Sequence, residues 1–135
     1  MQLGRDEYFV VQSIYRGWAL LGIVLFAALI FDFLLALACR RQRWPFRFAL
    51  SGFLLVAATL VVFFVWTFPA NQVTANWTVV PDDWEALRRR WEYAHATNAV
   101  LTLFALIAVT LSVVSASQAG QRKGRNRDHT SVDPA

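Results

Sequence analysis

The chain has one cysteine, Cys39, and two histidines, His95 and His129, in 135 residues. A lone cysteine excludes an intrachain disulfide, a Cys-x-x-Cys redox centre and c-type haem attachment, and with them the thiol-based quinone reductases built on small membrane bundles. His129 falls in the C-terminal tail and His95 at the start of the last apolar run. Each side of a membrane then has one imidazole per chain, so no metal site, haem or other cofactor is expected. Inverted repeats and interrupted helices, on which transporter folds rest, are missing. So is a cleavable signal: the first apolar run has about 22 residues, against roughly 7 to 15 for a signal core, and ends in Arg40 and Arg41 instead of small residues. The net charge of +4 is gathered in two basic blocks beside apolar runs, a topology pattern and not a nucleic-acid surface.

What the sequence has in plenty is apolar and aromatic residues, at 57% hydrophobic and 15% aromatic with six tryptophans. That is too apolar for a soluble domain of this size and predicts an all-α integral membrane bundle over residues 1–118. Spans are expected at about 18–39, 48–68 and 94–114, each near the 20 residues that cross a bilayer core of about 30 Å. The N-terminal segment is read as an interfacial helix, and would make a fourth span if it inserted. Pro45 suits the first turn of the second span, and Pro69 is expected to end it, since proline cannot donate to a continuing helix. Asp82-x-x-Glu85 reads as a capping box that restarts a helix projecting beyond the membrane. From residue 119 a basic, disordered tail is expected.

Arginine counting sets the orientation. The 40–47 loop has four arginines and no acid, and the tail has Arg122, Lys123, Arg125 and Arg127. Both belong in the cytoplasm of a bacterial inner-membrane protein, with the N-terminus and residues 69–93 outside.

Residues 68–98 form the only long stretch that is neither lipid-like nor simply basic, so any chemistry is expected there. Within it, Trp84, Arg88, Trp91, His95, Asn98 and Thr102 follow one another at steps of 4, 3, 4, 3 and 4, which places them along one helical stripe. Polar groups in a span face the bundle, because lipid gives them no hydrogen bonds, and the stripe is therefore expected to face the other helices. His95 reads either as a proton acceptor for a bound ligand or as an interfacial histidine tying the third span to the Pro69-Ala70-Asn71 turn. Asn71 and Asn98 read as amide clamps or as helix-joining polar residues, and the tryptophans as ligand walls or as an interface belt. Asp32 lies roughly 12 Å inside the bilayer and is read as either protonated or partnered, with Ser51, Thr110 and Ser112 at the right depth to be its partners.

The run FPANQ at 68–72, NWT at 76–78 and PDDWEALRRRWEYAHATNA at 81–99, leading into a final apolar helix, resembles the anthrone oxygenase-like family of small membrane proteins. The similarity covers residues 64–114. Its carriers are the Pro-x-Asn turn, here Pro69 and Asn71, and a tryptophan followed by histidine and asparagine, here Trp91, His95 and Asn98. The resemblance implies oxidation of a hydrophobic aromatic ligand by molecular oxygen without a cofactor, at a site open to the outer leaflet. His95 would be the base, Asn71 and Asn98 the donors to the developing oxyanion, and Trp84 and Trp91 the walls, with Arg88 and Thr102 completing the binding stripe. A different class is equally concrete: a non-enzymatic subunit of a larger membrane complex or homo-oligomer, packing through the small pairs Ala28/Ala36 and Ala105/Ala108.

Overall fold

The computed structural model describes residues 4–12 and 21–130, and no strand occurs among them. Five α-helices follow in order: α1 (Arg5–Gln12), α2 (Leu21–Cys39), α3 (Arg43–Val62), α4 (Phe68–Val73) and α5 (Trp84–Thr130). A π-helical turn, Phe63–Thr67, joins α3 to α4 without a break, so that Arg43–Val73 is one rod. Among the described residues three segments are long and apolar enough to cross a membrane: Gly22–Cys39, Arg43–Val73 and Trp84–Arg122. The expected all-α membrane bundle is therefore present. Residues 18–20 of the expected first span lie outside the described residues, as do 131–135 of the tail.

Small residues build the bundle. In lipid the driving force for helix association is close packing, which requires backbones to approach. Along α3 the buried positions are Pro45, Ala49, Gly52, Val56 and Thr59, at alternating steps of 4 and 3. The facing stripe of α5 buries Ala94, Ala105, Ala108 and Ser112. At Gly52 the approach is close: a β-carbon there would stand 2.7 Å from Val109 Cγ2. The rod of α3 is the middle element, packing on α2 along one side and α5 along the other. At the basic end Ser112 Oγ donates to the Pro45 carbonyl at 2.8 Å and lies 3.9 Å from the sulfur of buried Cys39. The outward faces carry large apolar side chains such as Phe31, Leu54 and Leu106, as a lipid-facing surface requires.

Three features of the helix ends differ from expectation. Pro69 does not end the second span, because the chain widens before it. Proline cannot donate to the Val65 carbonyl, and its ring would press on that carbonyl in a regular helix. The Phe68 N–H instead reaches Phe63 O, five residues back, and the rod runs on to Val73. The Asp82/Glu85 box does not form either: α5 starts at Trp84, with the Asp83 carbonyl accepting the N–H groups of Ala86 and Leu87. Finally, α5 passes Gly120 and stays helical to Thr130. Its two glycines, Gly120 and Gly124, cost about 1 kcal/mol each in a helix, which neighbouring strong helix formers such as Gln121 and Arg122 are suited to offset.

Candidate functional site

The polar stretch singled out in the sequence folds into an aromatic clasp at the end of the bundle away from the 40–47 loop. After α4 the chain makes a tight left-handed turn, with φ of 46° at Ala75, 57° at Asn76 and 65° at Trp77. Each such residue costs about 1 to 2 kcal/mol. Four kinds of bond hold the turn in place. Thr74, fully buried, donates from Oγ1 to the Ala70 carbonyl at 2.8 Å and accepts the Trp77 N–H at 3.1 Å. Asn76 N–H reaches Asn71 O at 2.7 Å, and the N–H groups of Thr78 and Val79 share the Thr74 carbonyl. The Trp77 indole N–H donates to Asn71 Oδ1 at 3.1 Å.

The turn tucks Trp77 into a cluster with Tyr8, Ala70, Leu87 and Trp91. Tyr8 meets Trp77 edge to face at 5.4 Å, and Trp77 meets Trp91 in the same way at 5.9 Å. Edge-to-face pairs at these distances add about 0.5 to 1.5 kcal/mol each beyond burial. Phe9 and Trp84 flank the cluster. Thus α1 lies on the clasp, bound through Tyr8, whose hydroxyl accepts from Gln12 Nε2 at 2.8 Å and whose ring lies 4.3 Å from the Arg88 guanidinium carbon. Sequence reasoning missed Tyr8 and Phe9; adjacent aromatics in a short charged segment were the available signal.

The expected stripe is only partly turned inward. Trp91 is buried and Trp84, Arg88 and Asn98 are half-buried, but His95 and Thr102 are exposed. The face α5 presents inward runs through Leu87, Trp91, Ala94, Ala105, Ala108 and Ser112. At 3.6 residues per turn this face is rotated by roughly 70° from the expected one. Packing decides it: alanine and serine let α5 approach Gly52 and Thr59, which the bulkier stripe would prevent.

Each candidate group thereby acquires a definite environment. Asn71 is committed to Trp77. His95 stacks on Trp91 with ring centroids 3.7 Å apart and places Nδ1 2.9 Å from the Trp91 carbonyl. Arg88 pairs with Glu92 at 2.8 Å. The oxygen of Asn98 is buried, as is the hydroxyl of Thr67, and neither has a hydrogen-bond partner among the described residues. Asp32 sits half-buried on α2. Its expected partners point elsewhere: Ser51 donates to Arg47 O, Thr110 to Leu106 O and Ser112 to Pro45 O. A hydroxyl whose proton already goes to a backbone carbonyl, in its own helix for Ser51 and Thr110 and across to α3 for Ser112, has none left to donate to a carboxylate.

On the other flank of α5 a groove of about 530 Å³ opens between Val62 and Trp66 on one wall and Arg89, Arg90, Tyr93 and Thr97 on the other. None of the residues expected to form a site lines it. Among the described residues no group of three His, Cys, Asp or Glu side chains is placed to hold a metal ion. No family model, curated protein or solved structure matches this chain.

Proposed function

We infer that this chain is a non-enzymatic accessory subunit of a membrane assembly, associating sideways through α2. The observation that carries this is Asp32. Among the described residues α2 buries only Ala36 and Cys39, and its half-buried carboxyl group has no hydrogen-bond partner. A carboxyl group at that depth costs several kcal/mol unless another helix supplies a donor. Among the described residues this chain places no donor on Asp32, and a neighbouring chain or a second copy would supply one. The small pair Ala105/Ala108, with Ala36, is used up inside the chain, so the association face is the one that carries Asp32.

The same reading puts residues 40–47 and the C-terminal end of α5 in the cytoplasm of a bacterial inner membrane, with the N-terminus and the clasp outside. Its support is that both basic blocks lie at one end of the bundle, where Ser112 bonds Pro45. The test uses the full chain extracted with its surrounding lipid in polymer-bounded discs. A protein mass well above 15.3 kDa is expected, falling to one chain in Asp32→Leu. A single chain in the unaltered protein would overturn the reading.

A second reading keeps the chemistry implied by the 64–114 resemblance: oxidation of an anthrone-like aromatic at the outer leaflet. What favours it is two buried polar atoms without a partner among the described residues, Asn98 Oδ1, one turn after His95, and Thr67 Oγ1. His95 would take a proton from the ring CH₂. The carbanion would add dioxygen to give a hydroperoxide, which loses water and leaves a carbonyl. One oxygen atom ends in the product and the other in water. The purified chain should then oxidise an emodin-type anthrone faster than buffer, and His95→Ala should remove the excess; no excess rate discards this reading.

A further inference from the structure

The groove beside α5 owes its shape to the π-helical turn. Along α3 the buried positions advance by 4 and 3 through Ala49, Gly52, Val56 and Thr59. A regular continuation would bury Trp66, seven residues after Thr59. The π turn inserts one residue, so Thr67 is buried in its place and Trp66 turns outward, 48% exposed. The indole becomes one wall of the groove. Ala86 and Ala94, with short side chains, leave the space between that wall and α5 open.

The opposite wall is cationic. Of the three consecutive arginines, Arg88 is spent on Glu92 and on the Tyr8 ring. Arg89 and Arg90 both line the groove, and among the described residues neither has an ion pair. Glu85, one turn before Arg89, does not pair with it. Two guanidiniums thus stand beside an apolar trough formed by Val62, Trp66 and Ala94, just before the expected 94–114 span of α5. Tyr93 and Thr97 add hydroxyl groups along the same wall.

We propose that this groove seats one anionic phospholipid, with its phosphate on Arg89 and Arg90 and the start of an acyl chain along Val62, Trp66 and Ala94. Guanidinium forks match phosphate oxygens bidentately, and a net negative headgroup is favoured over a zwitterionic one by the uncompensated pair of positive charges. The volume of about 530 Å³ lies within the range of small-molecule pockets, which suits a headgroup and the upper part of one chain. The proposal does not depend on Asp32 or on any reaction. Its site is on a different helix face from the association surface of α2.

The experiment is native mass spectrometry of the full chain in a mild non-ionic detergent, titrated with phosphatidylglycerol, phosphatidylcholine or inorganic phosphate. One phosphatidylglycerol per chain is expected to survive, with phosphatidylcholine bound more weakly and millimolar phosphate unable to displace the lipid. Arg89→Gln with Arg90→Gln should weaken the phosphatidylglycerol adduct by about 10- to 30-fold, from the loss of two basic residues near a phosphate. Thr97→Phe, which fills the groove and leaves both arginines, should weaken it as well. Arg40→Gln with Arg41→Gln, at the other end of the bundle, should not. Full occupancy in both groove variants overturns the proposal, as does an equal loss in the Arg40/Arg41 control. Displacement by phosphate would make this a site for the free ion and overturn the lipid assignment.

Discussion

The indole N–H of Trp77 donates to the side-chain oxygen of Asn71 across 3.1 Å, closing a turn whose three preceding or included residues, Ala75, Asn76 and Trp77, all have positive φ. This bond explains how the polar stretch between the last two apolar runs closes into a clasp. The oxygen of an asparagine read as a ligand donor is engaged as an acceptor, and the tryptophan it holds is 5% exposed. The clasp in turn carries α1 through the Tyr8 ring.

Asn71→Ala is expected to destabilise the protein by about 1 to 3 kcal/mol, since it leaves the buried indole N–H without its acceptor. Denaturant unfolding followed by tryptophan fluorescence measures this. In a Trp77→Phe background the same substitution should cost much less, because the donor is already gone. Equal costs in both backgrounds would mean that the bond contributes nothing.

At Ala75, φ is 46°, a conformation in which a β-carbon is crowded. Ala75→Gly is expected to stabilise by about 0.5 to 1 kcal/mol, the relief of left-handed strain exceeding the added chain entropy. Asn76→Gly should gain less, because asparagine tolerates this region. A loss of stability in Ala75→Gly would contradict the strain argument.

Gly52→Ala would set a methyl group 2.7 Å from Val109 Cγ2 and push α5 away from α3. A cost of about 1 to 3 kcal/mol is expected. Adding Val109→Ala should recover part of it by removing the opposing methyl groups. Strictly additive effects in the double variant would show that the two positions do not meet.

Pro69→Ala restores the missing N–H donor and is expected to let Phe63–Thr67 return to regular α-helix. The phase of the rod then shifts by one residue. In a Cys39→Ala background, Trp66→Cys should react with a maleimide faster than Thr67→Cys while Pro69 is present. The order should reverse once Pro69 is replaced. An unchanged order would mean that packing, and not proline, holds the π turn.

Much of this was legible in the residues. The three apolar runs, the connecting basic loop and a helix projecting past the membrane are all present, with Pro45 in the first turn of α3 as its fixed φ suggests. The spacing 84, 88, 91 correctly put Trp91 inside and Trp84 beside it. It failed at His95 and Thr102, which are exposed, because the rule that polar residues face inward competes with the tighter fit of small ones. Near the headgroups a polar side chain also loses little by facing out. The role of Asn71 was not legible either, since its partner Trp77 reaches it only through a left-handed turn that Ala75 and Trp77 do not announce.

The sequence alone determined that this is a helical bundle with three described segments long and apolar enough to cross a membrane, because in lipid every backbone group is satisfied within its own segment and span length is a local property. Tertiary structure decided which face of α5 turns inward, which of Trp66 and Thr67 is buried, and that the Asn71 side-chain oxygen meets the Trp77 indole. Those outcomes depend on how closely Gly52 lets two helices approach and on one residue inserted ahead of Pro69. Neither is encoded in the polarity of the residues concerned, since both follow from the space left by residues far away in the chain.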